Sequence, residues 1–206
     1  MHNPLYEAAE LECFNQGGNR YYVIPKSGIA VPSVTSVIYK DVVFPDTPAM
    51  KMARDRGTRV HDICEEYLLH KKVGKLDPFT RTSFEKLKIE IDKHLNESNL
   101  VEGALYSMRL LTAGRVDCIG LWDGKMSVID FKTATNPKKI GGIKNYFIQA
   151  AAYAHMWNEV GCWDWGLVEQ LVVLITPDNH PSAQIFTEPY DKYRDIMFKK
   201  FVADRQ

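Results

Sequence analysis

Apolar and polar positions change period several times along the chain, and each change marks an element. RYYVIPKSGIAVPSV alternates as two short strands around a Lys26-Ser27-Gly28 turn, and a short helix follows from Ser33 into Lys40. DVVFPDTPAM is a connection. Thr47 with Pro48 behind it is a helix start, a capping hydroxyl followed by proline in the first turn. Helical spacing runs from there to about His70, with Gly57 as the point where it would break, and resumes from about Phe79 to Asn96 after the loop KKVGKLDP. The period then falls to two. VEGALYSMRLL reads as a strand, and GRVDCIGLWDGKMSVIDFK as a hairpin continuing it in an antiparallel meander. IGGIKNYFIQAAAYAHMWNEV has the pattern of a helix of roughly twenty residues, EQLVVLIT of a buried strand, SAQIFTE of an edge strand, and PYDKYRDIMFKKFVADR of a closing helix.

No internal repeat, low-complexity segment or interdomain linker interrupts this series. It predicts one α/β domain over residues 1–206, with a helical region at about 47–98, a core at about 100–188 and a C-terminal helix at about 189–205. A helical half, three antiparallel strands, a long helix and a further strand imply a mixed central sheet flanked by helices.

The hairpin carries the first sign of chemistry. Asp123-Gly124 between two β-rich runs is a strong signal for a two-residue turn, and that turn fixes the register. Trp122 then pairs with Lys125, Leu121 with Met126, Gly120 with Ser127, Ile119 with Val128, Cys118 with Ile129, and Asp117 with Asp130. Two carboxylates with Cβ atoms about 5 Å apart repel unless something neutralises them, and a divalent cation is the usual remedy. Alternation sends Met126, Val128, Asp130 and Lys132 to one face, so Lys132 leaves the sheet beside both aspartates. Val116, Phe131, Cys118 and Ile129 make the reverse face apolar. An Asp-X-Lys sequence alone is more often a surface ion pair; the register, the two-sided burial and the second aspartate set this one apart.

Composition then removes other classes. Apolar residues are 45% and charged residues 25% of the chain, as in ordinary globular proteins. No apolar run approaches the roughly 20 residues that span a bilayer. MHNPLYEAAELE has neither a basic n-region nor an apolar stretch, so a cytoplasmic location, bacterial or in a phage-infected host, is expected, with no membrane partner. Cys13, Cys64, Cys118 and Cys162 are widely spaced with no Cys-X-X-Cys pair, which argues against a zinc site, an iron–sulfur cluster or a disulfide framework. Twenty-six basic and twenty-six acidic side chains argue against coating duplex DNA by charge alone. Nucleic acid would be gripped locally, by Lys51, Arg54, Arg56 and Arg59 in one cluster and by Lys138, Lys139 and Lys144 in another.

Two helices add candidate groups. His61 and Glu65 stand at i and i+4 in GTRVHDICEEYL and share a face, as do Gln149 and Tyr153 in NYFIQAAAYAHMW, where the surrounding alanines permit close packing on a sheet.

Taken together, Gly57 and His61 of GTRVH, Asp117 of GRVD, Asp130-Phe131-Lys132 of IDFK, and Gln149 with Tyr153 of QAAAY resemble the motif series of RecB-like nucleases in the PD-(D/E)XK superfamily. With AVPSVTSVI included, the resemblance covers roughly residues 20–180 and is strongest to the mitochondrial genome maintenance exonucleases and their phage relatives. It implies a PD-(D/E)XK core with the helical half covering the site, and a DNA exonuclease acting on single-stranded ends in replication, recombination, repair or degradation. Mg²⁺ or Mn²⁺ would be held by Asp117, Asp130, the Phe131 carbonyl and His61. Lys132 would orient or deprotonate the nucleophile and steady the phosphate, Gln149 and Tyr153 would position Lys132 or a flanking phosphate, and Glu65 would support His61. Some relatives carry cysteines around an iron–sulfur cluster, and this chain lacks them, so none is expected. DNA, and replication or recombination proteins, would be the partners. A structure-specific endonuclease on the same core and a catalytically inactive DNA-binding module are the alternatives.

Overall fold

Five strands in the order β4-β5-β6-β7-β8 form the central sheet of the computed structural model, which describes residues 10–160 and 165–202. In chain order the elements are β1 (Cys13–Gln16), β2 (Asn19–Val23), β3 (Ala30–Pro32), α1 (Val34–Ile38), α2 (Pro48–His70), α3 (Pro78–His94), β4 (Leu95–Ser107), β5 (Thr112–Trp122), β6 (Lys125–Ala134), α4 (Lys144–Val160), β7 (Gln170–Pro177), β8 (Gln184–Pro189) and α5 (Tyr190–Val202). β4, β5 and β6 form the expected antiparallel meander, while β7 lies parallel to β6 and β8 antiparallel to β7 at the far edge. The sheet is therefore mixed. The α4 crossover is what a parallel β6–β7 pair requires, since no tight turn joins parallel strands.

Helices cover both faces. Phe147, Ala150, Ala151, Ala154 and Trp157 of α4 pack with Ile119, Val128 and Val173, joined by Met197 and Phe201 of α5 and Val34 and Ile38 of α1. On the opposite face, Val60, Cys64, Tyr67 and Leu68 of α2 and Phe84, Leu87 and Ile91 of α3 pack on Cys118, Ile129, Phe131, Val172 and Leu174. The hairpin is buried on both sides, as its pattern predicts. Among the described residues, no helix is long and apolar enough to cross a membrane.

Local chemistry accounts for most boundaries. Thr47 accepts from the Met50 N–H and Asp77 from those of Phe79 and Thr80, each with proline in the first turn. α2 does not break at Gly57, because Val60, Cys64, Tyr67 and Leu68 recur at helical spacing and their burial outweighs the roughly 1 kcal/mol that an interior glycine costs. β4 begins directly after α3, well before the expected VEGALYS start, and α4 is shorter than expected because residues 140–142 form a separate 3-10 turn. A further strand, β1, joins β2 through Gly17 and Gly18, both at positive φ (58° and 79°), and pairs with it ahead of β3 in a small second sheet. The Gly-Gly pair was its signal. That sheet docks on the main body through Tyr22, Ile24, Val31 and Ala113, with the Thr112 hydroxyl donating to the Pro32 carbonyl at 2.7 Å.

Candidate metal centre

The hairpin has the register its turn dictates from Trp122/Lys125 to Cys118/Ile129, with Asp123 and Gly124 at φ 50° and 77° as a type I′ turn needs. The ladder then stops one pair short of the expected Asp117/Asp130 pairing. Beyond it the Phe131 N–H donates at 2.7 Å to Asp117 Oδ2, so a side chain replaces the strand as acceptor. The neighbouring strand departs from regularity at the same level. Between the Val101/Cys118 and Gly103/Val116 pairs, Glu102 has φ 46°, a left-handed conformation that costs a non-glycine residue of order 1–3 kcal/mol and clusters at working sites. Alternation is interrupted there: Val116 joins the α4-side core while Cys118 stays on the α2 side, contrary to the expectation that both share one face.

These two irregularities bring five groups together. His61 Nδ1, from α2, lies 3.3 Å from Asp117 Oδ1 and 3.9 Å from Glu102 Oε1. One donor atom from each of His61, Glu102 and Asp117 falls within 4.8 Å of the others. Lys132 Nζ donates to Asp130 Oδ1 at 2.6 Å and to the Phe131 carbonyl at 3.3 Å, and stands 5.5 Å from the centre of the Tyr146 ring. The second oxygen of Asp130, Oδ2, is buried with no hydrogen-bond partner. A buried carboxylate oxygen without a donor is costly, and it is the kind of atom a cation satisfies.

The electrostatics divide the two aspartates. Burial pushes the Asp130 carboxyl up to about 6, with the Asp117 charge adding and Lys132 opposing. Burial acts the same way on Asp117, but the His61 charge and hydrogen bond, Lys132 and the Phe131 N–H together hold it below the usual carboxylate range. Burial disfavours a charged His61, yet the Asp117 carboxylate at 3.3 Å and Glu102 at 3.9 Å push the imidazole up to about 10. Lys132 is desolvated too, and Asp130 and Asp117 nevertheless raise its pKa. At neutral pH the centre thus holds two cations among carboxylates. An ion held by His61 would need the neutral imidazole, so its binding would be linked to loss of that proton.

No family model matches the chain, and no curated protein does. A solved structure of SSO0001 aligns over 84% of this chain and 85% of its own at 13% identity, with a TM-score of 0.36, which is too low to carry an argument.

Of the residues singled out in the sequence, His61, Asp117, Asp130, Phe131 and Lys132 meet at this centre. Glu65 does not support His61: it is half-buried one turn away, and the acid beside His61 is Glu102. Tyr153 is buried, its phenol raised well above the usual range by burial and then by the Asp117 charge, and its hydroxyl faces Gly114. Gln149 is buried on the same helix, but the ring against Lys132 belongs to Tyr146, three residues earlier on that face. Arg56 and Arg59 are not held free for a ligand, since Arg56 pairs with Asp178 at 2.7 Å and Arg59 with Asp77 at 3.5 Å. Arg54 and Lys139 are exposed, and Lys138 exchanges backbone hydrogen bonds with the Gln184 side chain. Cys64 and Cys118 are buried thiols, Cys13 is exposed, and Cys162 lies outside the described residues.

Sequence reasoning passed over Glu102, Tyr146 and two arginines. Arg20 and Arg115 line a cavity of about 330 Å³ that opens beside Glu102. The single acid within the apolar run VEGAL was the available signal for Glu102.

Proposed function

We propose that this chain is a metal-dependent deoxyribonuclease of the PD-(D/E)XK type that hydrolyses phosphodiester bonds of single-stranded DNA from an end. The observation that carries the reading is the unpartnered, buried Asp130 Oδ2 beside a Lys132-bridged centre into which Asp117 and His61 also project. The donor set fits a hard divalent cation, Mg²⁺ or Mn²⁺: the donor atoms of His61, Glu102 and Asp117 that converge within 4.8 Å would hold it, with the unpartnered Asp130 Oδ2 as the further carboxylate oxygen. Bound there, such an ion supplies Lewis acidity at the phosphoryl oxygens and activates water.

The chain's own residues supply the rest. Lys132 Nζ is held by Asp130 at 2.6 Å and, with the Asp117 charge, favoured as an ammonium, which suits it to steady the charge of the scissile phosphate. Asp117 ties β5 to β6 through the Phe131 N–H and so fixes the separation of the two carboxylates. Arg20 and Arg115 offer charge to the backbone on the Glu102 side of the centre.

The endonuclease alternative has one observation in its favour. α2 and α3 are a packed layer of the sandwich, not a free-standing roof under which a strand must thread. One experiment addresses both readings. Purified protein is incubated with end-labelled linear and closed circular single strands in Mn²⁺, Mg²⁺ or chelator, beside Lys132→Ala. Metal-dependent release of nucleotides from linear strands only, reduced at least about a hundredfold in Lys132→Ala, is expected. Equal cutting of circles would establish the endonuclease, and no metal-dependent hydrolysis, or undiminished turnover in Lys132→Ala, would remove the nuclease reading.

A further inference from the structure

A cavity of about 600 Å³ lies between the end of α1 and the start of α4. Tyr39, Phe44 and Tyr146 form its aromatic walls, Gly142 leaves one side low, and Lys144 stands at its margin. Tyr39 meets Phe44 edge-on with centroids 5.5 Å apart, and Phe44 remains 49% exposed. Tyr146 is shared with the candidate centre, because Lys132 Nζ stands 5.5 Å from its ring. The Lys132 ammonium and the Asp130 carboxylate also act electrostatically on the Tyr39 phenol. The cavity therefore begins one ring away from the ammonium assigned to the scissile phosphate.

We infer that this cavity receives one unstacked nucleobase of the single strand whose phosphate is held at Lys132. The inference rests on the nuclease reading and names what that reading leaves open, how a single strand is told from a duplex. Four features select such an occupant. The volume lies in the range of about 300–1,000 Å³ that ordinary ligand sites span. Flat aromatic walls stack on any base, because every base has a π-face. Lys144 in the lining and Lys132 beside the Tyr146 ring suit a ligand that is apolar in the middle and anionic where it joins its neighbours, as a base between two phosphates is. A base paired in a duplex is already stacked and must be flipped out first, whereas a single strand offers it freely. Asn145 is the lining side chain with an amide able to meet a base edge, and the aromatic walls accept any base, so strandedness is the first thing the cavity discriminates.

The test places a single abasic residue at successive positions from the end of an otherwise identical oligonucleotide and measures affinity by anisotropy, with hydrolysis in Mn²⁺ alongside. Wild-type protein is expected to lose affinity at one position only, by about 5- to 150-fold, the range of a lost aromatic–base stack. Phe44→Ala, a change at a half-exposed ring, should bind the intact strand more weakly and flatten the positional dependence. Gly142→Leu provides a second, independent variant: a Cβ there meets nothing within 4 Å, so the fold accepts it while the side chain fills the cavity. Both should melt like wild type and lose the positional dip. A wild-type profile with no dip, or a dip that survives in both variants, overturns the cavity assignment while leaving the nuclease intact. Failure to bind or cut any strand instead overturns the nuclease reading and the cavity with it.

Discussion

Asp130 and Asp117 are chemically identical and both lie just beyond the last paired residues, Cys118 and Ile129, of one ladder, yet the fold treats them in opposite ways. Asp130 is 2% exposed and keeps one oxygen without a donor; Asp117 receives the Phe131 N–H and the His61 imidazole. Metal-free stability should record that difference. Asp130→Asn removes a charge whose folded-state pKa is raised from 3.8 to about 6, and should stabilise the chelated protein at pH 7 by roughly 1–3 kcal/mol. Because the raised pKa makes the ionised form the costly one in the folded state, this penalty is complete above about pH 6 and vanishes as pH falls below 3.8. The gap in Tm between variant and wild type should close over that window. Asp117→Asn runs the other way: it weakens the acceptor of a buried N–H and strips the partner from a charged imidazole, at a cost of about 1–3 kcal/mol. Thermal melts in chelator across pH 4–8 check both signs, and equal effects from the two substitutions would mean that the assignment of roles is wrong.

At the scale of elements, the site depends on how closely α4 approaches β5. A Cβ built at Gly114 would stand 2.7 Å from the Tyr153 hydroxyl, closer than real contacts allow, so the glycine sets the spacing between that helix and the sheet. Gly114→Ala should therefore destabilise by about 1–3 kcal/mol through overpacking. Tyr153→Phe, which deletes the hydroxyl alone, should recover most of the loss. A double-mutant cycle read by denaturant unfolding tests this, since additive effects would place the strain elsewhere.

This level also shows why some features were legible and others were not. The β5–β6 hairpin was readable because a two-residue Asp-Gly turn fixes every pairing after it, and α2 and α3 because capping residues and helical spacing are local. Glu102 was not readable as a site residue, since its position comes from a left-handed φ inside a strand and nothing in VEGAL dictates that angle. Nor was the fate of Arg56, whose partner Asp178 lies 122 residues away and meets it only once β7 is in place. The early start of β4 was missed because NESNL is polar, although Ser98 and Asn99 end up buried.

For the whole molecule, a formal charge of zero leaves no net long-range attraction to a polyanion, so any grip on DNA would come from local groups, Arg20 and Arg115 in the cavity beside Glu102, Lys132 at the centre and Lys144 in the cavity walled by Tyr146. The ion pair between Lys132 and Asp130 has a separate consequence for how the molecule comes into being. Many small metalloproteins hold carboxylates or thiolates that cannot be brought together until the ion arrives, so the apo chain stays unfolded. Here the chain's own ammonium already pairs with Asp130 and offsets part of its charge, and a protonated His61 pairs with Asp117. Folding and loading are separable events. Chelator should lower Tm only by the mass-action term RT ln(1 + [L]/Kd), with circular dichroism unchanged at 25 °C, and readdition of Mn²⁺ should restore the melt in full. Loss of secondary structure on chelation would show that the lysine does not stand in for the ion. On the proposed function, a polypeptide built this way would be synthesised and kept in a dormant form, its chemistry switched on by the supply of a cation and switched off without passing through the unfolded state.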